Sequence, residues 1–183
     1  MIALVVGYFH TKKERVILLE DQIAIPKAFS DQFSRIIVKK TAQSMPTTTF
    51  LSPDGDEITW NDFKGQHLLV NFWATWCAPC VIELPSLNKL QSRFADDGLK
   101  TIAISLDKPR SHDQVKRFAY NRNIDDFVTY YDHNNEVQRK VRMRGIPTTY
   151  LLNPEGKILY IFEGDAQWNS PPAINFFTTL LKQ

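Results

Sequence analysis

The chain has 183 residues, 43% of them hydrophobic and 12% aromatic, and a formal net charge of +2. That length suits one domain of ordinary size with an added segment, folding without disulfide staples. The interspersed charges leave no basic face for nucleic acid. Two cysteines and four scattered histidines do not make the ligand set of a structural zinc site, so neither metal nor cofactor is expected.

In chain order, residues 1–9 are almost wholly apolar and Lys12 and Lys13 follow. The run is too short to cross a membrane alone, which takes about 20 apolar residues. It also lacks the basic start and small-residue cleavage site of a secretory signal. It reads either as a buried strand or apolar tail, or as the remnant of a longer signal-anchor. Residues 1–44 are mixed, with apolar runs at 16–19 and 36–38, and Pro26 interrupts any long helix. Phe29 and Phe33, continued by Ile36 and Ile37, have helical spacing, which predicts a short helix there. No chemistry is assigned to this N-terminal extension, and the main domain is placed at 45–183.

Residues 45–65 read as a hairpin. A β-branched and apolar strand at 47–51 meets Pro53-Asp54-Gly55, and 57–60 returns. Asn61 is the expected cap of a short turn carrying Phe63 and ended by Gly65. From residue 66 onward strand and helix signals alternate. Residues 68–74 form an apolar run suited to a strand buried on both faces. Leu84, Leu87, Leu90 and Phe94 make a helical stripe within 81–95. A second strand is predicted at 101–106, then a helix marked by Val115, Phe118 and Ala119, and a third strand at 127–131. Val137 and Val141 belong to a helix ending near Gly145. Strands at 148–152 and 158–162 flank the turn Asn153-Pro154-Glu155-Gly156, and an apolar-faced helix at 173–181 closes the chain. This order implies an α/β fold: a central mixed sheet flanked by helices, with a hairpin at its start.

The chemistry concentrates where the first central strand hands over to a helix, in Trp76-Cys77-Ala78-Pro79-Cys80. Chemistry in α/β folds sits beyond the carboxyl ends of strands. Cys77 falls at the helix N-terminus, where free N–H groups and the macrodipole favour a thiolate, the attacking species. Cys80 lies one turn further in, close enough to resolve a mixed disulfide. Pro79 fits the first turn of the helix, where no hydrogen bond is lost. Glu83, taken on its own, reads as a solvated or capping carboxylate.

The stretch Asn71-Phe72-Trp73-Ala74-Thr75-Trp76-Cys77-Ala78-Pro79-Cys80 resembles the active sites of the thioredoxin superfamily. Arg144-Gly145-Ile146-Pro147-Thr148 and its continuation to Lys157 resemble the family's later strand. The likeness spans about residues 46–183 and implies the thioredoxin fold. Within the superfamily the chain resembles the TlpA/ResA/CcmG branch, through the lead-in hairpin, the strand–helix insertion at 107–133, Glu83, and the TlpA-like tail at 163–170. Members are extracytoplasmic or periplasmic thiol reductases, often membrane-anchored, that serve cytochrome c or cytochrome oxidase maturation. The resemblance implies a cis bond before Pro147, whereas an X–Pro bond is by default trans. It implies that Ile146 and Pro147 dock an extended substrate segment over Cys77. It also implies that Glu83 lies near the cysteines, where a partly buried carboxylate raises the thiol pKa and can carry the Cys80 proton.

One position departs from thioredoxin itself, which has a buried Asp six residues before the first cysteine; here it is Asn71. Either Glu83 replaces that function or Cys80 relies on water, and Asn71 is expected as a neutral polar contact in the core. Trp73 is expected under the site and Trp76 on its exposed rim, contacting partners. Trp168 could border the same face or seal the last helix.

The leading functional expectation is an enzyme that reduces a specific partner's disulfide, with Cys77 attacking and Cys80 resolving. The partners it implies are a protein substrate and a membrane or periplasmic electron donor, for a monomer held in the periplasm by an N-terminal anchor. A cytoplasmic location is the alternative. The second expectation is a disulfide donor or isomerase running the same chemistry the other way. The third is a non-enzymatic Cu(I) chaperone of the Sco kind, with His133 as the candidate third ligand, although Sco cysteines are spaced by three residues rather than two. A peroxidase is disfavoured because Ala74 stands where peroxiredoxins have Thr.

Overall fold

The computed structural model describes residues 22–108, 112–122 and 128–182. The apolar stretch at 1–9, the run at 16–19 and Phe127 lie outside the described residues.

The elements follow in order: α1 (Lys27–Ser30), β1 (Arg35–Val38), β2 (Phe50–Leu51), β3 (Glu57–Ile58), β4 (His67–Trp73) and α2 (Ala78–Phe94). After these come β5 (Leu99–Ser105), α3 (His112–Tyr120), β6 (Val128–Tyr131), α4 (Glu136–Val141), β7 (Thr148–Leu152), β8 (Ile158–Glu163) and α5 (Pro171–Leu180). Among the described residues the strands form one sheet in the order β1-β8-β7-β4-β5-β6-β2-β3. β4, β5 and β6 run parallel, and the other pairings are antiparallel. β4 sits centrally, buried at six of its seven positions, which accounts for its mostly apolar sequence, Asn71 being the polar residue among the buried six. This is the α/β thioredoxin fold, with a mixed central sheet between helices.

Each face of the sheet has its own core. One holds Leu69, Trp73, Cys80, Leu84, Leu87, Phe162, Trp168 and Phe177 under α2 and α5. The other holds Phe50, Val70, Phe72, Ile102, Ile104 and Tyr150. Alternation along β4 serves both: Leu69 faces one core and Val70 the other.

Three local expectations are corrected. The helix predicted through Phe29 to Ile37 stops at Ser30, and Ile36 and Ile37 lie on β1, which pairs with β8. Phe29 and Phe33 still reach the core, where their rings meet at 5.1 Å and each lies within 6 Å of Trp168. Strand pairing outcompetes helix because Ile36 packs on one core and Ile37 on the other, which neighbours on one helix face cannot do. In the hairpin, only Phe50–Leu51 and Glu57–Ile58 pair. The following 3-10 turn (Trp60–Phe63) is capped from Thr59, not Asn61. The Asp62 carboxylate accepts from the Thr59 N–H at 2.7 Å and its hydroxyl at 2.8 Å, which holds its pKa below the usual carboxylate range.

Candidate active site

The register of β4 against β7 pairs Phe72 with Thr148. The carboxyl end of β4, which leads to Cys77, therefore lies beside the start of β7, which Ile146 and Pro147 precede. Motifs some 70 residues apart in the sequence meet at one pole of the sheet. The Ile146–Pro147 peptide bond is cis.

Cys77 caps α2 and is joined to Cys80 in a disulfide, with the Cys80 N–H donating to the Cys77 sulfur at 3.3 Å. Both are buried, whereas Trp76 is 71% exposed and Ala78 and Pro79 are also exposed. Trp73 lies beneath, fully buried and 5.8 Å from the Phe118 ring. Cys77 thus sits just beneath an exposed rim of Trp76, Ala78 and Pro79 and above a packed floor, at the N-terminus of a 17-residue helix whose Cys80 N–H points at its sulfur. That setting favours a thiolate once the disulfide is opened.

The loop before Cys77 is held by a residue that sequence reasoning passed over. The Asp107 carboxylate, buried just beyond β5, accepts from the Thr75 N–H at 2.9 Å, the Thr75 hydroxyl at 2.7 Å and the Ser105 hydroxyl at 2.9 Å. The Leu106 N–H donates to the Trp73 carbonyl at 2.8 Å. The one available signal was an Asp directly following a buried strand at its carboxyl end.

Glu83 stands one turn beyond Cys80 with no exposed surface, so its reading as a solvated carboxylate is corrected. It faces inward on the same helical stripe as Cys80 and Leu87. Its Oε1 accepts from Asn71 Nδ2 at 2.8 Å. Its Oε2 accepts from Trp168 Nε1 at 2.7 Å and the Ala166 N–H at 3.2 Å. Burial pushes its pKa up to about 7, against the opposing pull of these three donors. Asn71 is the neutral core contact expected, and it also donates to Thr149 Oγ1 at 2.9 Å. Trp168 is fully buried among Phe29, Phe33 and Phe162, so it seals the core and holds Glu83 at once. His133 lies beside Glu57, 4.0 Å away, with Asn134 against its Nε2.

Against known proteins, a family model described as Redoxin matches residues 40–175. The thiol–disulfide oxidoreductase ResA of Bacillus cereus is 27% identical over 137 residues, covering 75% of this chain and 78% of ResA. The thioredoxin-like protein YneN of Bacillus subtilis is 33% identical over 123 residues, covering 67% of this chain and 71% of YneN. The solution structure of a thiol:disulfide interchange protein from a Bacteroides species superposes with a TM-score of 0.64 at 26% identity, covering 78% of this chain and 91% of that one.

Proposed function

Because this chain belongs to the Redoxin family and is a thioredoxin-like thiol–disulfide oxidoreductase of the TlpA/ResA/CcmG-like branch, we propose that it works as a reductant of one partner protein's disulfide. The observation that carries this reading is the disulfide-capable pair at the start of α2 with a buried carboxylate one turn behind it. Cys77, as the thiolate, attacks a substrate sulfur and displaces the other sulfur as its leaving thiol. Cys80, deprotonated, then attacks Cys77, so that the substrate leaves reduced and the enzyme holds the Cys77–Cys80 disulfide. Glu83 takes the Cys80 proton. Asn71 suits that role because its Oδ1 accepts nothing among the described residues. Turning the amide would present Oδ1 to a protonated Glu83 and to the Thr149 hydroxyl, so either charge state finds a partner.

Trp76 and Pro79 offer the substrate an apolar rim, and Ile146 with Pro147 offers a backbone segment to pair with. Glu83 supports the reducing direction. A buried carboxylate disfavours a neighbouring thiolate, and a less stabilised reduced form makes the couple more reducing. In the branch the chain resembles, the corresponding substrate belongs to cytochrome c or cytochrome oxidase maturation. The protein would work as a monomer outside the cytoplasm, anchored near its electron donor. Among the described residues no helix is long and apolar enough to cross a membrane.

Cys80→Ser is expected to trap a covalent mixed disulfide through Cys77, visible on a non-reducing gel and lost on Cys77→Ser. A Cys80→Ser protein that forms no adduct, with Cys77 resistant to alkylation, overturns the mechanism. Equilibration against glutathione tests the direction separately: a potential nearer the thioredoxin end, about −270 mV, is expected, and one near −120 mV makes the protein a disulfide donor.

A further inference from the structure

A groove of about 450 Å³ opens beside Pro147. One wall is Arg144, Gly145 and Ile146, and the other is Ser34 and Arg35 at the start of β1. The second wall comes from the extension, which the sequence left without chemistry. Its attachment is close. Ser34 donates to the Glu163 carbonyl through its N–H at 2.9 Å and its hydroxyl at 2.7 Å. The next residue, Gly164, donates its N–H to the Pro147 carbonyl at 3.0 Å. Gly164 has φ +105°, and a Cβ there would stand 3.2 Å from the Ser34 nitrogen. Glycine therefore satisfies both the backbone angle and the close approach of β1. Arg35 is fixed relative to Ile146 by backbone bonds, not by the reach of a flexible side chain.

The charges facing this groove are unequal. Arg35 and Arg144 are exposed, and Arg35 has no ion pair among the described residues. Glu163 is the lining carboxylate, 3.8 Å from Arg144, itself 71% exposed. Glu163 is only 16% exposed, but a single contact at 3.8 Å to a 71% exposed guanidinium leaves most of the Arg144 donors open to a second carboxylate. The Ile146 N–H and C=O carry no hydrogen bond among the described residues, which leaves them open to an extended chain. Arg35 is level with Glu163, and Glu163 with Thr148, in the sheet register. Two strand spacings put Arg35 roughly 10 Å across from β7, a distance an extended peptide covers in about three residues.

We propose that this groove takes a substrate segment with an Asp or Glu about three residues from its disulfide cysteine, recognised by Arg35 and Arg144. The proposal rests on the reductase reading and names the substrate class for it. Guanidinium groups suit the task because they bind carboxylates bidentately and stay charged at any working pH.

The test uses the reduced full-length protein and three peptides, each with one internal disulfide, differing only in Glu, Gln or Lys three residues from the attacked cysteine. The expected order of kcat/KM is Glu, Gln, Lys, with Glu over Lys by about 3- to 10-fold at low salt and a smaller ratio near 0.5 M salt. In Arg35→Gln and Arg144→Gln the Glu-to-Lys ratio falls, and in the double variant it approaches one. Because each ratio is taken within one protein, a general loss of activity does not imitate this result. Equal rates for Glu and Lys, or an unchanged ratio in the double variant, overturn the proposal. Failure to reduce any of the peptides overturns the reductase reading instead.

Discussion

Glu83 shows how far a single residue's meaning depends on residues distant in sequence. Its position one turn after Cys80 is plain in the sequence, and the family likeness pointed to its placement. Its hydrogen-bond donors were not legible, because Trp168 is 85 positions away and Asn71 is 12 away on another element. Its pKa also has a consequence for stability. The unfolded chain ionises Glu83 near 4.5, and the folded protein near 7. Between those values the folded state holds the extra proton, so stability falls as pH rises, with the full contribution present below 4.5 and lost above about 7. The shift corresponds to roughly 3 kcal/mol. Glu83→Gln keeps the side chain's shape and removes the titration. Denaturant titrations of the oxidised proteins at pH 4.5 and 7.5 are therefore expected to show a decline in wild type that the variant lacks by about that amount. Parallel pH profiles would mean that Glu83 does not titrate in this window.

Among the elements, β4, β5, β7, β8 and α2 were readable because each carries a mostly apolar run or a clear helical stripe. The segment around Phe29 misled because Phe29 and Phe33 have helical spacing while the residues that follow switch to the two-residue period of a strand. Nothing local marks where one period gives way to the other; the pairing partner, β8, lies well over a hundred residues on. The same holds for Asp107, whose function as a tie between β5 and the loop before Cys77 appears only once the parallel register aligns Trp73 with Ser105. The packing of α1 makes a direct prediction. Phe29 is fully buried, with Phe162, Trp168 and Phe176 within 6 Å ring to ring. Phe29→Ala is expected to cost about 3–5 kcal/mol in urea unfolding. A loss below about 1 kcal/mol would show that α1 is not part of the folded core in solution.

For the whole molecule, alternating strand and helix signals were enough to expect a mixed sheet with helices on both faces. They did not reveal which edge the extension would take, since edge placement depends on long-range pairing. β1 occupies the edge beyond β8, at the side of the groove. The path of the chain toward it has a directional meaning. Gln22 hydrogen-bonds to the carbonyls of Lys39 and Leu159, and Ile23 to the Tyr160 hydroxyl. Leu159 is four residues along β8 from Glu163, roughly 14 Å from the pole that carries Cys77. From Gln22 the backbone climbs to Ser34 at that pole and descends again through β1. The described chain is therefore entered from the side opposite its reactive sulfur. A probe attached at Gln22 itself stands at the far pole, leaving the cysteine rim clear for whatever approaches.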